Sequence, residues 1–209
     1  MRSAQAAAVL AASVLLAHCN SGPPAPASDD RPYDARIQAF RSEKDVEFKN
    51  GADSPIPAAD RASFQGLAYY PIDPQYHVPA FLTPDPSGPA PIITLQTSTN
   101  IPRKMRRVGK LGFTLGETPY TLTAFADIED TANRRLFVPF ADLTGGTETY
   151  KGGRYLDLER TPTGLYDLDF NRAYHPFCVY NPTFECPVPP KENRLAIAIR
   201  AGERLSGAK

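Results

Sequence analysis

Prolines are the strongest constraint on what this chain can fold into. The sequence holds 22 prolines against 14 glycines, and it has no tryptophan but 10 Tyr and 11 Phe. Because proline lacks a backbone N–H and fixes φ, it ends helices and interrupts strand ladders. We therefore expect short elements, stiff turns and aromatic packing, a combination that favours β structure over a helical bundle.

Short runs with strand character follow one another through most of the chain. Each is bounded by Gly, Pro, Asn or Asp, and they cover residues 67–72, 92–97, 106–115, 120–128, 135–140, 155–158, 166–169 and 195–199. Residues 115–118 read LGET and predict a hairpin turn. No long helical pattern separates the runs, which disfavours parallel βαβ winding. The sequence predicts a mainly β (α+β) fold, a single curved antiparallel sheet or barrel with a proline-rich C-terminal loop.

One amphipathic helix is expected before these strands, over residues 33–49. Tyr33, Ile37 and Phe40 fall on one helical face. Asn50 and Gly51 follow as a helix stop signal. We interpret this helix as a cover for one face of the sheet.

The N-terminus has the features of an export signal, predicted over residues 1–18. Arg2 precedes an apolar stretch over residues 4–17, which is too short to span a bilayer comfortably. The stretch ends in Leu-Ala-His-Cys19, which resembles the lipobox of bacterial lipoproteins, although His18 replaces the usual small residue. We predict that Cys19 is lipidated, for example with palmitate. Ordinary secretion and an uncleaved anchor are the alternatives, and all three place the domain on the extracytoplasmic, periplasmic or outer side of a membrane.

Residues 19–32 then form the lipidated Cys and a Pro-rich linker, and residues 33–209 form a single globular domain. Lys+Arg and Asp+Glu balance at 23 each. A nucleic-acid partner is therefore not expected. The lipid is expected to be the contact with the membrane, and the sequence specifies no protein partner.

A first candidate segment for a site covers residues 140–158, where two glycine pairs precede Arg154. A phosphate-binding P-loop is excluded, because no Lys-Ser or Lys-Thr follows the glycines. Arg154 suits bidentate binding of a carboxylate or phosphate. The alternative is an internal pair with Asp142 or Asp169.

A second candidate segment covers residues 169–194, where prolines stiffen a loop that is rich in polar side chains. With Arg154 it supplies the predicted ligand-binding residues, namely Asp169, Asn171, Tyr174, Tyr180, Glu192 and Asn193. The same groups could instead satisfy backbone groups that the prolines leave without ladder partners. If the domain is catalytic, Asp169 or Glu192 is the candidate general base.

Cys178 and Cys186 lie in the second segment and have three interpretations. A disulfide in an oxidising compartment would contribute about 2 to 3 kcal/mol. A metal bound by His175 with both cysteines is a minor possibility, because paired CxxC spacing is absent. Two unpaired thiols are the third interpretation. We predict no cofactor.

The sequence therefore leaves two functional hypotheses. The first is an exported, membrane-tethered domain that binds a small polar or anionic molecule in a pocket formed by residues 140–158 and 169–194. The second is a non-enzymatic structural or interaction module of the cell envelope. No nucleophile elbow, HExxH or dinucleotide fingerprint occurs, so whether the chain is an enzyme stays open.

Several motifs taken together resemble the domain-of-unknown-function family 1684. They are GLAYYPID (66–73), the FVPF to GGRYL stretch (137–156), DFNRAYHP (169–176), CVYNP (178–182), CPVPPKEN (186–193) and AGE (201–203). The resemblance covers about residue 33 to the C-terminus and implies no known activity. The family pattern has Asn where this chain has His175, which argues against a His-based metal site.

Overall fold

A computed structural model describes residues 29–85 and 90–207. The predicted signal peptide, the lipidation at Cys19 and most of the linker lie outside the described residues. Among the described residues, no helix combines the length and the apolar character needed to cross a bilayer.

Within residues 29–85 and 90–207, seven strands form the body of the domain. They are β1 (His77–Pro84), β2 (Ile92–Leu95), β3 (Arg103–Leu115), β4 (Thr118–Asp127), β5 (Arg135–Phe140), β6 (Arg154–Glu159) and β7 (Leu165–Asp169). Neighbours pair antiparallel in the order β6-β5-β4-β3-β1-β7, and β2 pairs with β3. The predicted mainly β, antiparallel, barrel-like fold is confirmed, as is the hairpin between β3 and β4.

The sheet curls until its two end strands, β6 and β7, come close, and we call the gap between them the seam. Tyr155 in β6 and Tyr174, just after β7, exchange two backbone hydrogen bonds of 2.9 and 3.0 Å across this gap. The barrel is therefore nearly closed, and its seam is bridged at one end.

Strand alternation fills the barrel interior. In β5, Leu136, Val138 and Phe140 are fully buried, while Arg135 is exposed on the outer face. The core they join is apolar and includes Leu111, Phe113, Leu122, Ala124, Leu156, Leu158, Leu168 and Phe170. Each large side chain buried in this way contributes about 1.5 to 3 kcal/mol to folding.

In the described part of the chain a single α-helix, α1 (Tyr33–Asn50), precedes the barrel, and it agrees with the predicted helix to within one residue. It ends at Gly51, whose N–H donates to the Glu47 carbonyl at 2.7 Å. Ile37 and Phe48 are its buried residues. The Phe48 ring meets rings of the C-terminal loop, so α1 packs beside the seam.

Residues 170–207 form the proline-rich loop, with 3₁₀ turns at Phe170–Arg172, Phe177–Val179 and Lys191–Asn193. The predicted strand over residues 195–199 is wrong. Leu195 begins to pair with Ala141, but the Ile199 N–H donates to the Asp142 carboxylate and not to a backbone carbonyl. The side chain of Asp142 therefore ends the ladder.

The predicted and observed strands differ at two further places. Residues 67–72 form only one isolated bridge, Tyr69 to Glu203, before Pro71 interrupts the segment. Conversely, β1 was missed because Pro79 and Pro84 lie within it. β1 nevertheless pairs with β3 on one side and β7 on the other.

Candidate functional site

Arg154 begins β6 and lies almost fully buried inside the domain. Its Nη2 donates to Asp142 Oδ2 and to the Ile199 carbonyl, both at 2.7 Å, and its Nη1 donates to the carbonyls of Ala201 and Glu203. Burial lowers the Arg154 pKa and the Asp142 carboxylate opposes that change. The guanidinium therefore anchors the C-terminal loop to the barrel, and both of its Nη nitrogens are engaged within the protein.

Asp169 and Asn171 form a second buried polar group at the end of β7. Asp169 Oδ1 accepts hydrogen bonds from the Tyr33 hydroxyl and the Asn171 N–H, both at 2.9 Å. Asn171 Nδ2 donates to the Tyr33 oxygen and to the Asp73 carbonyl. Arg172 lies 3.6 Å from Asp169. This group joins the start of α1 to the barrel.

Asn193 and its neighbour Glu192 have opposite environments on the turn Lys191–Asn193. Asn193 is fully buried, where it accepts from the Thr123 N–H at 2.7 Å and donates to the carbonyls of Thr123 and Pro139. The Asn193 side chain therefore makes hydrogen bonds to β4 of the kind that a neighbouring strand would make. Glu192 is exposed.

Tyr180 contacts a buried carboxylate, Glu203, that the sequence did not single out. Glu203 Oε2 accepts from the Tyr180 hydroxyl at 3.0 Å and from the His175 N–H at 2.7 Å. The ammonium of Lys44, on α1, lies 2.6 Å from Glu203 Oε1 and 4.3 Å from the centre of the Tyr174 ring. Lys44 thus fastens α1 to the loop through an ion pair and a cation–π contact.

His175 is buried beside this carboxylate and is neutral. Its Nε2 accepts from the Tyr150 N–H at 3.2 Å, and its Nδ1 faces Glu203 at 3.6 Å. Burial, together with the charges of Arg154 and Lys44, lowers the His175 pKa to about 3. The unprotonated ring nitrogen is therefore Nε2, and His175 serves as an internal acceptor.

A groove runs along the seam between α1, β6 and β7, and we call it the seam groove. Its volume is about 810 Å³. The walls draw on both segments singled out in the sequence, through Leu156 to Leu158 and through Asp169, Arg172, Tyr174 and Phe177. Of the seven predicted ligand-binding residues, Asp169 and Tyr174 line this groove, whereas Arg154, Asn171, Tyr180, Glu192 and Asn193 do not.

A carboxylate–hydroxyl pair lines the groove. The Tyr174 hydroxyl donates to Asp157 Oδ2 at 2.8 Å. Burial against the neighbouring side chains raises the pKa of the Asp157 carboxyl, and the bond from Tyr174 partly offsets this. Asp157 is still exposed to the groove, which limits the rise. The Tyr174 pKa is also raised by burial, so its proton stays on the phenol.

A second hollow of about 840 Å³ lies on the outer face of β3 to β6. It shares Arg135, Asp157 and Glu159 with the seam groove. In the register of β5 and β6, Arg135 lies opposite Glu159 and Phe137 lies opposite Asp157. Asp157 therefore stands where the two hollows meet.

The charges of the seam groove are predominantly negative. Six carboxylates and three cations line it, namely Glu43, Glu47, Asp157, Glu159, Asp167 and Asp169 against Lys44, Arg135 and Arg172. Lys44 and Arg172 already pair with carboxylates of the protein. Aromatic walls accompany these charges, from Phe40, Phe48, Tyr166, Tyr174 and Phe177. Such a surface attracts cationic or neutral polar groups more than anions.

Cys178 and Cys186 carry free thiols and lie side by side. The Cys178 N–H points at Cys186 Sγ at 3.2 Å. A disulfide between them stays a prediction. In the described part of the chain, no three His, Cys, Asp or Glu side chains are grouped so as to hold a metal.

Sequence reasoning missed Asp157, Lys44 and Glu203. For Asp157 a local signal existed, because the run YLDLE places Asp157 and Glu159 on the outward face of a strand whose other face is core. The outward face could be read from the alternation, but not that α1 would partly cover it. Lys44 and Glu203 come from opposite ends of the domain and have no local signal for their pairing.

The family model and the solved structure described next both match this chain, and neither description assigns an activity. The model of a family described as a protein of unknown function, DUF1684, matches residues 62–204. The solution NMR structure of an uncharacterized protein from Haloarcula marismortui is 40% identical in sequence, with a TM-score of 0.66 over 85% of this chain and 96% of that one. No curated protein matches the chain.

Proposed function

This chain belongs to the DUF1684 family of proteins of unknown function, and from that premise we propose that it is an exported, membrane-tethered domain that binds a small polar molecule in the seam groove. The export signal and the lipidation of Cys19 are inferred from the N-terminal sequence alone. The observation that carries the binding proposal is the hydrogen-bonded Asp157–Tyr174 pair that lines the groove. A phenol that holds one carboxylate oxygen leaves the other free to meet a ligand.

The charge of the groove narrows the ligand class. Its carboxylates outnumber its cations, and two of those cations are already neutralised internally. Cations bind favourably to carboxylates and to aromatic faces. We therefore infer that the ligand is polar and carries an amine or a quaternary ammonium group, in preference to the anion for which Arg154 was first considered.

The alternative is the non-enzymatic envelope module, and it has its own supporting observation. Arg154, Asn171 and Asn193 form hydrogen bonds with the protein's own backbone and side chains. These residues serve the fold, as a structural module requires. The two proposals differ in what they expect of Asp157, which a purely structural module does not need.

The test is NMR titration of the full-length protein with choline and putrescine as cationic probes and with phosphate and citrate as anionic probes. We expect saturable shifts at Asp157, Tyr174 and Phe177 with a cationic probe, and weaker effects with the anions. Asp157→Asn should weaken binding about tenfold or more, because it removes a charge-assisted contact. Glu192→Gln is the matched control and should bind as the unaltered protein does.

Two outcomes would contradict the binding proposal. One is the absence of saturable shifts along the groove with every probe. The other is equal affinity in the folded Asp157→Asn variant. Either result would favour the structural module.

A further inference from the structure

Cys178 and Cys186 form a contact that the binding proposal does not use. The backbone N–H of Cys178 donates to Cys186 Sγ at 3.2 Å. Both side chains are reduced. Seven residues of chain lie between the two positions. The sulfur atoms are therefore brought together by folding of the loop and not by immediate sequence adjacency.

The two cysteines differ in how firmly they are held. Cys186 is 6% exposed, its N–H donates to Ser98 Oγ at 3.2 Å, and its carbonyl accepts from the Ser98 N–H at 2.9 Å. Cys178 lies in the short turn Phe177–Val179, is half-buried, and has its sulfur 3.9 Å from the Tyr150 hydroxyl. A reagent from solvent would therefore reach Cys178 first.

From this arrangement we propose that Cys178 and Cys186 are a redox-active pair that closes to a disulfide by exchange with a disulfide oxidant. The Cys178 thiolate attacks one sulfur of the oxidant, forms a mixed disulfide and releases the first thiol. Cys186 then loses its proton to water and attacks Cys178 Sγ, which releases the second thiol. Two protein thiols and one oxidant disulfide thus become one protein disulfide and two small thiols.

The environment of Cys186 is consistent with this order of events. Burial raises the pKa of the Cys186 thiol to about 12, so Cys186 is protonated at neutral pH and is not the thiol that first attacks the oxidant. Its fixed position next to Cys178 then makes the second attack intramolecular.

Closure would act on the wall of the seam groove. Phe177 precedes Cys178, lines the groove, and packs edge-on against Phe48 at 5.9 Å and Phe184 at 5.4 Å. A disulfide would close residues 178–186 into one ring, which contains Phe184 and is directly preceded by Phe177. The closure itself can be measured on the protein alone, so its outcome is independent of whether the groove binds a ligand.

The experiment is to equilibrate the folded full-length protein with oxidised glutathione, alkylate it with N-ethylmaleimide, and digest it with trypsin. Residues 173–191 form one tryptic peptide that contains both cysteines. We expect this peptide to lose two hydrogen atoms and to carry no maleimide. After reduction and a second treatment with N-ethylmaleimide, the same peptide should carry two maleimides. The two single variants, Cys178→Ser and Cys186→Ala, each keep only one of the two cysteines. Neither variant can therefore form the disulfide within this peptide.

The oxidised protein should also unfold at a higher temperature than the reduced protein, and this shift should be absent in Cys178→Ser. The proposal is overturned if the oxidised, folded protein still carries two maleimides. It is equally overturned if glutathione stays on Cys178 without closure, or if either cysteine pairs outside this peptide. The unaltered protein alone decides these outcomes, so poor folding of a variant would not obscure them.

Discussion

Arg154 Nη2 donates to Asp142 Oδ2 at 2.7 Å, and the two side chains are 1% and 2% exposed. Removing the guanidinium would leave a buried carboxylate without its counter-charge and several carbonyls without donors. We expect Arg154→Ala to lower the free energy of unfolding by about 3 to 5 kcal/mol, a large part of the stability of a typical domain. Urea denaturation followed by circular dichroism measures this loss.

Arg103→Ala is the matched control for this substitution, since Arg103 pairs with Asp127 at 3.0 Å where both side chains are about half exposed. An exposed pair of this kind contributes about 1 kcal/mol or less. Equal unfolding midpoints for the Arg154 and Arg103 variants would contradict the structural role of Arg154.

Asn193 and Glu192 are neighbours that should respond differently to truncation. Asn193→Ala leaves the Thr123 N–H and two carbonyls without partners in the core, and we expect a loss of about 3 kcal/mol or more. Glu192→Ala changes an exposed side chain and should stay within about 0.5 kcal/mol. Thermal unfolding of the two variants, measured side by side, tests the contrast, and similar losses in both would refute it.

The contrast between Asn193 and Glu192 also indicates how far sequence reasoning reaches. Composition and turn residues sufficed for the antiparallel β fold and for the helix, because alternation and stop signals are local properties. They did not separate Asn193 from Glu192, since the two residues share one polar, proline-flanked segment. Which of two adjacent polar residues is buried depends on β4, which is about seventy positions away.

The same limit explains why the candidate site was only partly predicted from the sequence. Arg154 and Asp142 were correctly considered as an internal pair, because they flank one glycine-rich turn. Asp157 was overlooked because an outward-facing Asp on a strand is usually solvated. Asp157 lies in a groove only because α1 packs beside the seam, where the Lys44–Glu203 ion pair holds the helix.

The buried His175 gives the domain a distinctive response to acid. Its pKa is about 3 in the folded protein, against about 6.5 for an unperturbed histidine, so the unfolded chain binds the proton first as pH falls. His175 therefore costs no stability from protonation above about pH 6.5 and destabilises the fold progressively between about pH 6.5 and pH 3.

His175→Asn should remove that dependence, because an amide does not titrate in this range. Relative to the variant, the unaltered protein is expected to lose up to about 1.4 kcal/mol of unfolding free energy per pH unit between pH 6 and pH 4. Urea denaturation at several pH values measures the difference. Parallel curves for the two proteins would mean that His175 is protonated in the folded state.

Lys44 gives the last prediction, since its ammonium lies 2.6 Å from the buried Glu203 carboxylate and 4.3 Å from the centre of the Tyr174 ring. Lys44→Ala would leave Glu203 charged and without its cation, and we expect a loss of about 3 kcal/mol. The loss should be concentrated where α1 meets the loop. Hydrogen exchange of the α1 amides should therefore accelerate more than that of β3 and β4.

Two companion variants separate the causes of this effect. Lys49→Ala removes an exposed lysine from the same helix and should leave exchange unchanged. Lys44→Met keeps most of the aliphatic stem but not the charge. If the ion pair dominates, its α1 exchange rates should resemble those of Lys44→Ala. If packing dominates, they should resemble those of the unaltered protein. Because Glu203 also accepts from Tyr180 and His175, we expect the charge to dominate. Unchanged α1 exchange in Lys44→Ala would show that the helix is held to the barrel by its apolar residues alone.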